Sequence, residues 1–274
     1  MSPSWCPLRS LRSPGRSIGG TAPRLEPIPS CSAGAAWLAP IAPVAPLRQP
    51  PIGFAHRGAR AHAPENTLEA FALAIRLGAT GLESDVWVTA DGVAVLDHNG
   101  VVRRGIRRRP IAEIPRAELP EHIPSLAELY DRCGTGLPLS LDVKDPAALP
   151  ATLDAARQAG AEEQLWLCHP DWELVATWRR QADDVKLVDS TRIAKVKEGP
   201  ERRAMSLRRA GIDCINMHES DWTGGLTTLF HRFGLECFGW DAQLPRVLDQ
   251  LLHRGVDAVY SDHVDRMVDA LAAR

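Results

Sequence analysis

The sequence predicts an α/β protein whose single domain, residues 51–274, is a (β/α)8 TIM barrel preceded by a disordered tail, residues 1–50. From residue 52 onward, short apolar runs alternate eight times with amphipathic helical patterns, which indicates repeated βα units and a parallel sheet. Glycines stand where six of the helical patterns should stop. A chain of 274 residues, 45% of them hydrophobic, is long enough for one barrel with a sizeable core, and no second domain is needed.

The predicted elements follow one another in strict alternation. The strands are predicted at residues 52–56, 81–88, 137–143, 164–168, 185–188, 214–217, 236–240 and 258–260. The helices are predicted at residues 67–77, 125–133, 147–159, 171–181, 200–210, 224–233, 244–254 and 263–272. Asn66 or Thr67, Ser125 and Asp171 are typical helix N-caps, because their side chains accept a hydrogen bond from the first turn. One irregular insertion, residues 99–124, contains the basic run 103–109.

The first 50 residues differ in composition from the rest of the chain. Ten prolines interrupt any helical or strand period, and five arginines against one glutamate give this segment a net charge of +4. Because the whole chain carries −2, the remainder carries −6, which gives no general signal for nucleic-acid binding. We interpret the segment as a disordered tail or the product of a start codon assigned too early. A targeting segment is the alternative, since the segment is rich in Arg and Ser and poor in acids.

The six cysteines are scattered without a CxxC pair or a short regular spacing. This distribution predicts reduced thiols, mostly in the core, rather than a disulfide framework or a zinc site. The sequence contains no uninterrupted run of about 18 apolar residues, so it predicts no transmembrane helix. The expected location is the cytoplasm, and the sequence leaves the oligomeric state open.

Polar residues stand at the C-terminal ends of the predicted strands. In a barrel of this kind the loops at that end build the active site, so we expect these side chains to converge. The set comprises His56, Glu83, Asp85, Asp142, Lys144, His169, His218, Trp240 and Asp262. Glu83 and Asp85 lie two positions apart on one strand, so their side chains point the same way.

The acids Glu83, Asp85 and Asp142 form a set of hard oxygen ligands that suits a divalent metal, Mg²⁺ or Ca²⁺. The alternative is that they are solvated charges at strand ends, or that Lys144 forms an ion pair with Asp142. Both interpretations stay open at this point.

His56 and His98 are candidates for a general acid and base, because histidine titrates near neutral pH. Arg57 and Lys144 are the cations available to bind phosphate oxygens. Cleavage of a phosphodiester needs one group to activate the attacking oxygen, another to protonate the leaving alkoxide, and positive charge on the phosphoryl oxygens. The candidate residues match that requirement.

Other aromatic and basic residues have weaker signals. Trp240 ends a predicted strand and is a candidate pocket wall, with core packing as the alternative, and Trp87 is a candidate for packing at the rim. We expect His169, His218 and His263 to be ordinary strand-end histidines. The arginine run 103–109 is either a solvated face or a surface that attracts an anionic substrate or lipid.

Several short motifs occur in a fixed order along the chain. They are His56-Arg57-Gly58, Pro64-Glu65-Asn66-Thr67, Glu83-Ser84-Asp85, Asp91-Gly92 and His98-Asn99. In this order and spacing they resemble the signature of the glycerophosphodiester phosphodiesterase family, within the PI-PLC-like phosphodiesterase superfamily. Segments 123–129, 141–144, 238–240 and 255–262 extend the resemblance, which covers about residues 52–270 and is thinnest between 145 and 235.

The resemblance implies a metal-dependent hydrolase that cleaves small-molecule glycerophosphodiesters to glycerol 3-phosphate and an alcohol, with His56 and His98 exchanging acid and base roles. It also places Glu65 in the active site, in reach of the metal or a histidine. The chain departs from the family's pattern at three places: Asn99 replaces Asp, Asp142 replaces Glu, and Asp241-Ala242 replaces Thr-Val. Asn99 cannot supply charge, and Asp142 is one methylene shorter, which a bridging water could span.

Two other functions fit the same motifs. One is a related lysophospholipase D-type enzyme, which would need an apolar rim facing a membrane, although the sequence does not indicate membrane contact. The other is a non-catalytic barrel that binds phosphate esters, consistent with the departures at Asn99 and Asp142. The leaving alcohol also stays open, as does the choice between direct attack by water and a cyclic phosphate intermediate.

Overall fold

The computed structural model describes residues 45–105 and 107–274. The predicted tail therefore lies outside the described residues over its first 44 positions, together with Cys6 and Cys31. Strands and helices alternate along the described chain. In chain order the strands are β1 (Ile52–Ala55), β2 (Gly81–Val88), β3 (Ala94–Leu96), β4 (Val101–Arg104), β5 (Arg107–Pro110), β6 (Leu139–Val143), β7 (Leu165–His169), β8 (Lys186–Thr191), β9 (Cys214–His218), β10 (Glu236–Trp240) and β11 (Ala258–Ser261).

Eight of these strands close into a parallel barrel, in the order β1-β11-β10-β9-β8-β7-β6-β2. The barrel closes because β1 pairs on one side with β11, where Ile52 lies opposite Ala258, and on the other with β2, where Phe54 lies opposite Gly81. Strand β3 extends this sheet antiparallel to β2, and β4 and β5 form a separate hairpin. The predicted (β/α)8 barrel is confirmed.

The helices surround the barrel and match the predicted ones closely. They are α1 (Leu68–Arg76), α2 (Leu126–Cys133), α3 (Leu149–Ala159), α4 (Trp172–Trp178), α5 (Pro200–Arg209), α6 (Gly224–Arg232), α7 (Pro245–His253) and α8 (Val264–Ala272). The predicted caps are confirmed: Thr67, Ser125 and Asp171 each accept a hydrogen bond from the first turn of their helix. Helix α4 ends earlier than expected, because the Arg179 guanidinium binds the carbonyls of Ala182 and Val185 and holds the chain in a turn.

The core has two layers. Mainly aliphatic side chains fill the space between barrel and helices, whereas the cluster inside the barrel includes four aromatic rings. Phe54 stacks on Tyr260 with ring centroids 4.8 Å apart, and Phe238 packs against Trp166 at 4.9 Å. Large rings suit this position because each buries much apolar area in the narrow lumen. They close the lumen beneath the C-terminal mouth.

Arg48, within the predicted tail, contacts the end of the barrel at which the strands begin. Its guanidinium donates to Glu236 at the start of β10, over 2.8 and 2.9 Å, and its backbone N–H donates to Asp257 just before β11. The guanidinium carbon also lies 5.4 Å from the centroid of the Trp166 ring. The last residues before β1 are therefore attached to the N-terminal ends of the strands.

Cys133, Cys168, Cys214 and Cys237 are free thiols in the structure, as the scattered spacing predicts. Within residues 45–105 and 107–274, no helix has the length and apolar character needed to cross a bilayer. The cytoplasmic location stays a prediction.

Candidate active site

A cavity of about 400 Å³ opens at the C-terminal ends of the barrel strands. Every barrel strand, or the loop that follows it, contributes to the wall. The lining residues are His56, Arg57, Arg60, Glu83, Ser140, Asp142, Cys168, Ser190, Asn216, Trp240, Asp241, Gln243 and Tyr260. Five of the predicted catalytic, phosphate-binding, metal-binding and wall residues line this cavity: His56, Arg57, Glu83, Asp142 and Trp240. The other four, Glu65, Asp85, His98 and Lys144, do not.

His56 follows β1 and is held on both ring nitrogens by carboxylates. Its Nδ1 lies 2.6 Å from Asp262 Oδ1, and its Nε2 lies 3.8 Å from Glu83 Oε2. Burial alone would lower the pKa of His56, but the charges of Glu83 and Asp262 outweigh it, so the pKa is raised. Burial would raise the pKa of Asp262, yet the bond to His56 and the nearby Arg60 hold it low. An ionised Asp262 therefore orients the imidazole with Nε2 on the side of Glu83.

The turn after His56 has left-handed backbone at Arg57 (φ 52°) and Gly58 (φ 78°). This conformation lets the Arg57 N–H donate to Glu83 Oε2 over 2.8 Å. A side chain at position 58 would not fit, because its Cβ would lie 2.7 Å from the backbone carbon of Ala70 in α1. The requirement for a left-handed, tightly packed turn explains glycine in the His-Arg-Gly motif.

The Arg57 side chain points to two acids. Its Nη1 donates to Glu65 Oε2 over 3.0 Å, and its Nε lies 3.2 Å from Asp85 Oδ2. The Nε contact is an ion pair without hydrogen-bond geometry, since this buried atom has no hydrogen-bond partner among the described residues. Arg57 is thus held at the cavity wall with donor capacity to spare.

Two acids pair with the ammonium group of Lys144. Its Nζ lies 3.0 Å from Asp85 Oδ1 and 2.9 Å from Asp142 Oδ2. Burial would lower the pKa of Lys144, but these two carboxylates outweigh it and the pKa is raised. Burial and the charges of Asp85 and Asp142 raise the pKa of Glu83 to about 7, against the opposing effect of His56. The mouth therefore holds more carboxylates than the side-chain cations fully compensate.

Asn66 is a buried contributor whose place sequence reasoning did not predict. Its φ is 56°, its Oδ1 accepts a hydrogen bond from Ser84 over 2.8 Å, and its Nδ2 donates to Asp85 Oδ2 over 3.3 Å. Thr67, not Asn66, caps α1. Asn66 instead helps to orient Asp85, because it binds one carboxylate oxygen while Lys144 binds the other.

Glu65 lies between two arginines. Its Oε2 accepts from Arg57 Nη1 and lies 2.6 Å from Arg60 Nε, while Arg60 Nη1 lies 3.2 Å from Asp262 Oδ2. Glu65 is not part of the cavity wall, whereas Arg60 is. The pairs connect Arg57 to Asp262, and no spacing in the sequence indicates that Arg60 would join them.

His98 lies beyond the end of β3, at the rim. The Asp97 N–H donates to the Asp85 carbonyl over 3.1 Å, which attaches the turn to β2. Asp97 Oδ2 accepts the N–H groups of Asn99 and Gly100, and the Trp87 indole donates to the Asp97 carbonyl over 2.8 Å. Trp87 thus packs at the rim, as predicted. The structure places His98 near β2, the strand that carries Glu83 and Asp85, but not in the cavity wall. Its Nδ1 lies 3.3 Å from Asn99 Oδ1.

Trp240 forms part of the opposite wall. The His218 ring stands perpendicular to it at 4.6 Å, and the Arg192 guanidinium lies 5.7 Å from its centroid. Asp241 follows with a φ of 65° and an Oδ2 that lies 3.3 Å from His218 Nε2. This wall is aromatic and polar, in contrast to the charged wall around Glu83.

The donor set suits a hard divalent cation. Glu83 and Asp142 both line the cavity, and neither Glu83 Oε1 nor Asp142 Oδ1 has a hydrogen-bond partner among the described residues. Asp85 is committed to Asn66, Arg57 and Lys144 in this structure. A cation at the mouth would offset the negative charges of Asp85 and Asp142, which act together with burial to raise the pKa of Glu83.

Sequence reasoning did not anticipate how Asp262 is used, although its position at the end of the last strand was a signal. Gln243 was missed altogether. Its Oε1 accepts the Asp262 N–H over 2.9 Å and the Ser261 hydroxyl over 3.3 Å, which fixes the carboxylate that orients His56. Both contacts cross from one βα-loop to another, so no local pattern reveals them.

Comparison with known proteins identifies relatives of this chain. The description "Glycerophosphoryl diester phosphodiesterase family" matches residues 56–123, the stretch that carries His56, Glu83 and His98. A probable glycerophosphodiester phosphodiesterase 2 from Mycobacterium tuberculosis is 26% identical over 255 residues, covering 81% of this chain and 91% of that protein. Human glycerophosphodiester phosphodiesterase 1 is 44% identical over 79 residues, but these cover only 29% of this chain and 22% of the human protein.

Solved structures share the whole barrel. A putative glycerophosphoryl diester phosphodiesterase from Silicibacter pomeroyi superposes with a TM-score of 0.72 at 26% identity, covering 82% of this chain and 94% of that one. An Oleispira antarctica phosphodiesterase, solved in complex with the product sn-glycerol-3-phosphate, has the same fold, with a TM-score of 0.72 at 20% identity over 81% of this chain and 97% of that one.

The match over residues 56–123 falls on the motifs that build the charged wall of the cavity. The mycobacterial relative and the Silicibacter structure extend the likeness through the rest of the barrel. The chain is therefore similar to glycerophosphoryl diester phosphodiesterases, both at the motifs of the cavity and in the fold of the barrel.

Proposed function

We propose that this chain is a metal-dependent hydrolase that cleaves glycerophosphodiesters to glycerol 3-phosphate and an alcohol. The observation that carries the proposal is the arrangement at the mouth: His56, oriented by Asp262, stands 3.8 Å from buried Glu83 in a cavity that Arg57 also lines. An acid–base group, a carboxylate site for a cation and a phosphate-binding cation are thus adjacent. A structural neighbour that holds sn-glycerol-3-phosphate supports the same class of substrate.

The metal ligands in this proposal are Glu83 and Asp142 from the cavity wall, joined by Asp85. A bound Mg²⁺ or Ca²⁺ would supply positive charge to the phosphoryl oxygens and to the attacking oxygen. Glu65 has a different role here from the one that the sequence suggests. Because it accepts a hydrogen bond from Arg57 and forms an ion pair with Arg60, we assign it to the positioning of these arginines.

The chain's own residues would handle the phosphate and the protons. Arg57 binds phosphoryl oxygens with its unused donors, and Lys144 adds charge from the next strand. One imidazole takes the proton from the attacking oxygen, which belongs to water or to a glycerol hydroxyl, as that oxygen bonds to phosphorus. The bond from phosphorus to the alcohol oxygen breaks, and the other imidazole gives this oxygen a proton. Attack by water gives glycerol 3-phosphate directly, whereas attack by a glycerol hydroxyl gives a cyclic phosphate that water then opens to the same product. In this proposal His56 acts from the cavity wall and His98 from the rim.

The cavity favours a water-soluble diester over an intact lysophospholipid. Its volume of about 400 Å³ fits a head-group diester, whereas an acyl chain would need an apolar surface outside it. Among the described residues, the exposed large apolar side chains are Leu47, Met205 and Leu244, which are far apart in the chain. Only Leu244 adjoins a residue of the cavity wall.

The test is a panel of glycerophosphodiesters and lysophospholipids assayed with Mg²⁺, Ca²⁺ and Mn²⁺ in turn. We expect turnover of at least one water-soluble diester, and a drop of about 10² or more in kcat for His56→Ala and for His98→Ala. His253→Ala, at an exposed helix end, is the matched control and should keep full activity. Absence of diester turnover with every metal contradicts the proposed function, and near-normal turnover by either variant removes that histidine from the mechanism.

A further inference from the structure

A second cluster of metal-ligating side chains lies outside the cavity, where the loop after β1 meets the start of α8. It consists of His62, His263 and Asp265, whose nearest ligand atoms all lie within 4.8 Å of one another. His62 Nε2 is 3.1 Å from Asp265 Oδ1, and the two imidazole rings stand perpendicular with centroids 6.3 Å apart. None of the three residues belongs to the catalytic arrangement described above.

We propose that His62, His263 and Asp265 form a binding site for a first-row transition-metal ion, with Zn²⁺ as the best match. Two imidazoles and one carboxylate are a frequent protein ligand set for zinc, with a fourth position left to water. Bonds of roughly 2.0–2.1 Å in a tetrahedron put the donor atoms about 3.4 Å apart. The closest pair, His62 Nε2 and Asp265 Oδ1, lies 3.1 Å apart, close to that spacing. Because His62 and Asp265 are exposed and His263 is half-buried, rotation of the side chains can bring in the third ligand.

The backbone that carries the ligands is already fixed. The Ala61 N–H donates to the Asp262 carbonyl over 3.2 Å, which ties the His62 loop to the segment that carries His263. The His62 N–H donates to the Ala59 carbonyl over 2.8 Å, and the His263 N–H donates to Ser261 Oγ over 3.2 Å. A site built on a pre-ordered backbone loses less conformational entropy when it binds an ion.

The imidazole of His263 has no hydrogen-bond partner among residues 45–105 and 107–274, and His62 pairs there only with Asp265. An ion would therefore displace no bond except the one between two of its own ligands. Donor chemistry also separates this cluster from the catalytic acids. Imidazole nitrogen favours Zn²⁺, Cu²⁺ or Ni²⁺, whereas an all-carboxylate set favours Mg²⁺ or Ca²⁺.

Direct metal binding tests the proposal. The full chain, without a polyhistidine tag and stripped with chelator, is titrated with Zn²⁺ against a chromophoric chelator in the presence of excess Mg²⁺. We expect the wild-type chain to bind one Zn²⁺. The substitutions His62→Ala, His263→Ala and Asp265→Asn should each weaken the binding of this ion by about 100-fold, because even the loss of a residue that only supports a ligand weakens metal binding 10–100-fold.

Two controls keep the result specific to this cluster. His253→Ala should bind Zn²⁺ like the wild type, and Glu83→Gln, which alters the catalytic acids, should leave this binding event in place. All of these readouts are independent of activity and of the proposed function. Zinc binding that is absent in the wild type, or that persists unchanged in the His62→Ala/His263→Ala double variant, overturns the proposal.

Discussion

His56 and Asp262 lie 206 positions apart in the chain, yet their side chains meet at 2.6 Å. Each residue directly follows a strand, His56 after β1 and Asp262 after β11. The two residues meet because β1 pairs with β11 when the barrel closes. The sequence indicates both as strand-end residues. It cannot indicate that one orients the other, because that depends on side-chain directions across two loops.

Asp262→Asn tests this contact through its effect on the pKa of His56. Burial lowers that pKa, while Glu83 and Asp262 raise it, so removal of the Asp262 charge should lower the pKa. His56 should therefore lose its proton at a lower pH in the variant than in the wild type. The measurement is an NMR titration of the imidazole in the metal-free chain.

Asp249→Asn is the control for that titration, since Asp249 is an exposed acid on α7 that pairs with Arg274. It should leave the His56 titration where it is in the wild type. An unchanged titration in Asp262→Asn as well would mean that Asp262 does not control the charge of His56.

At the scale of elements, the segment between β2 and α2, residues 89–124, positions His98. This segment, called the excursion below, is also bonded to the start of α2. Ser125 accepts from the Glu128 N–H, and the Glu128 carboxylate accepts from the Ser125 N–H and hydroxyl, forming a capping box. Arg116, in the excursion, donates to the same carboxylate over 2.8 and 3.1 Å. One cap thus connects the start of α2 to the loop before it.

Ser125→Ala should lower the free energy of unfolding by about 1 kcal/mol, because the first turn of α2 loses a side-chain acceptor. Urea unfolding followed by circular dichroism measures the change. Ser206→Ala, the same substitution inside α5, should stay within about 0.5 kcal/mol of the wild type. Equal stability of the Ser125→Ala variant and the wild type would show that the cap does not stabilise α2.

The elements were more predictable than the excursion. Strand and helix order follows from apolar periodicity and glycine stops, both of which are local signals. The β4–β5 hairpin was not predicted, because its strands read as a run of arginines with little apolar alternation. Its fold depends instead on Val102 packing with Ile111 and Ile114 in a small separate core.

At the scale of the whole molecule, the barrel brings acids from two neighbouring strands to one point. Glu83 and Asp85 on β2 lie beside Asp142 on β6, since Asp85 and Asp142 occupy opposite positions in the parallel register. The sequence predicted this convergence from topology alone. The ion pair between Lys144 and Asp142, which the sequence offered as an alternative, is present. The sequence did not indicate that Lys144 would pair with Asp85 as well, since that depends on rotamers in the closed barrel.

The central claim is that this carboxylate group works by holding a divalent cation. The most direct test is hydrolysis of a glycerophosphodiester by chain that has been treated with EDTA, freed of chelator and supplied with Mg²⁺, Ca²⁺ or Mn²⁺. Activity should disappear on chelation and return with at least one of these ions. The His62→Ala/His263→Ala variant should behave in the same way, because its substitutions lie outside the cavity. Glu83→Gln should not recover, whereas Glu201→Gln, an exposed acid on α5, should recover fully. Full activity of the wild type after complete chelation would contradict the claim.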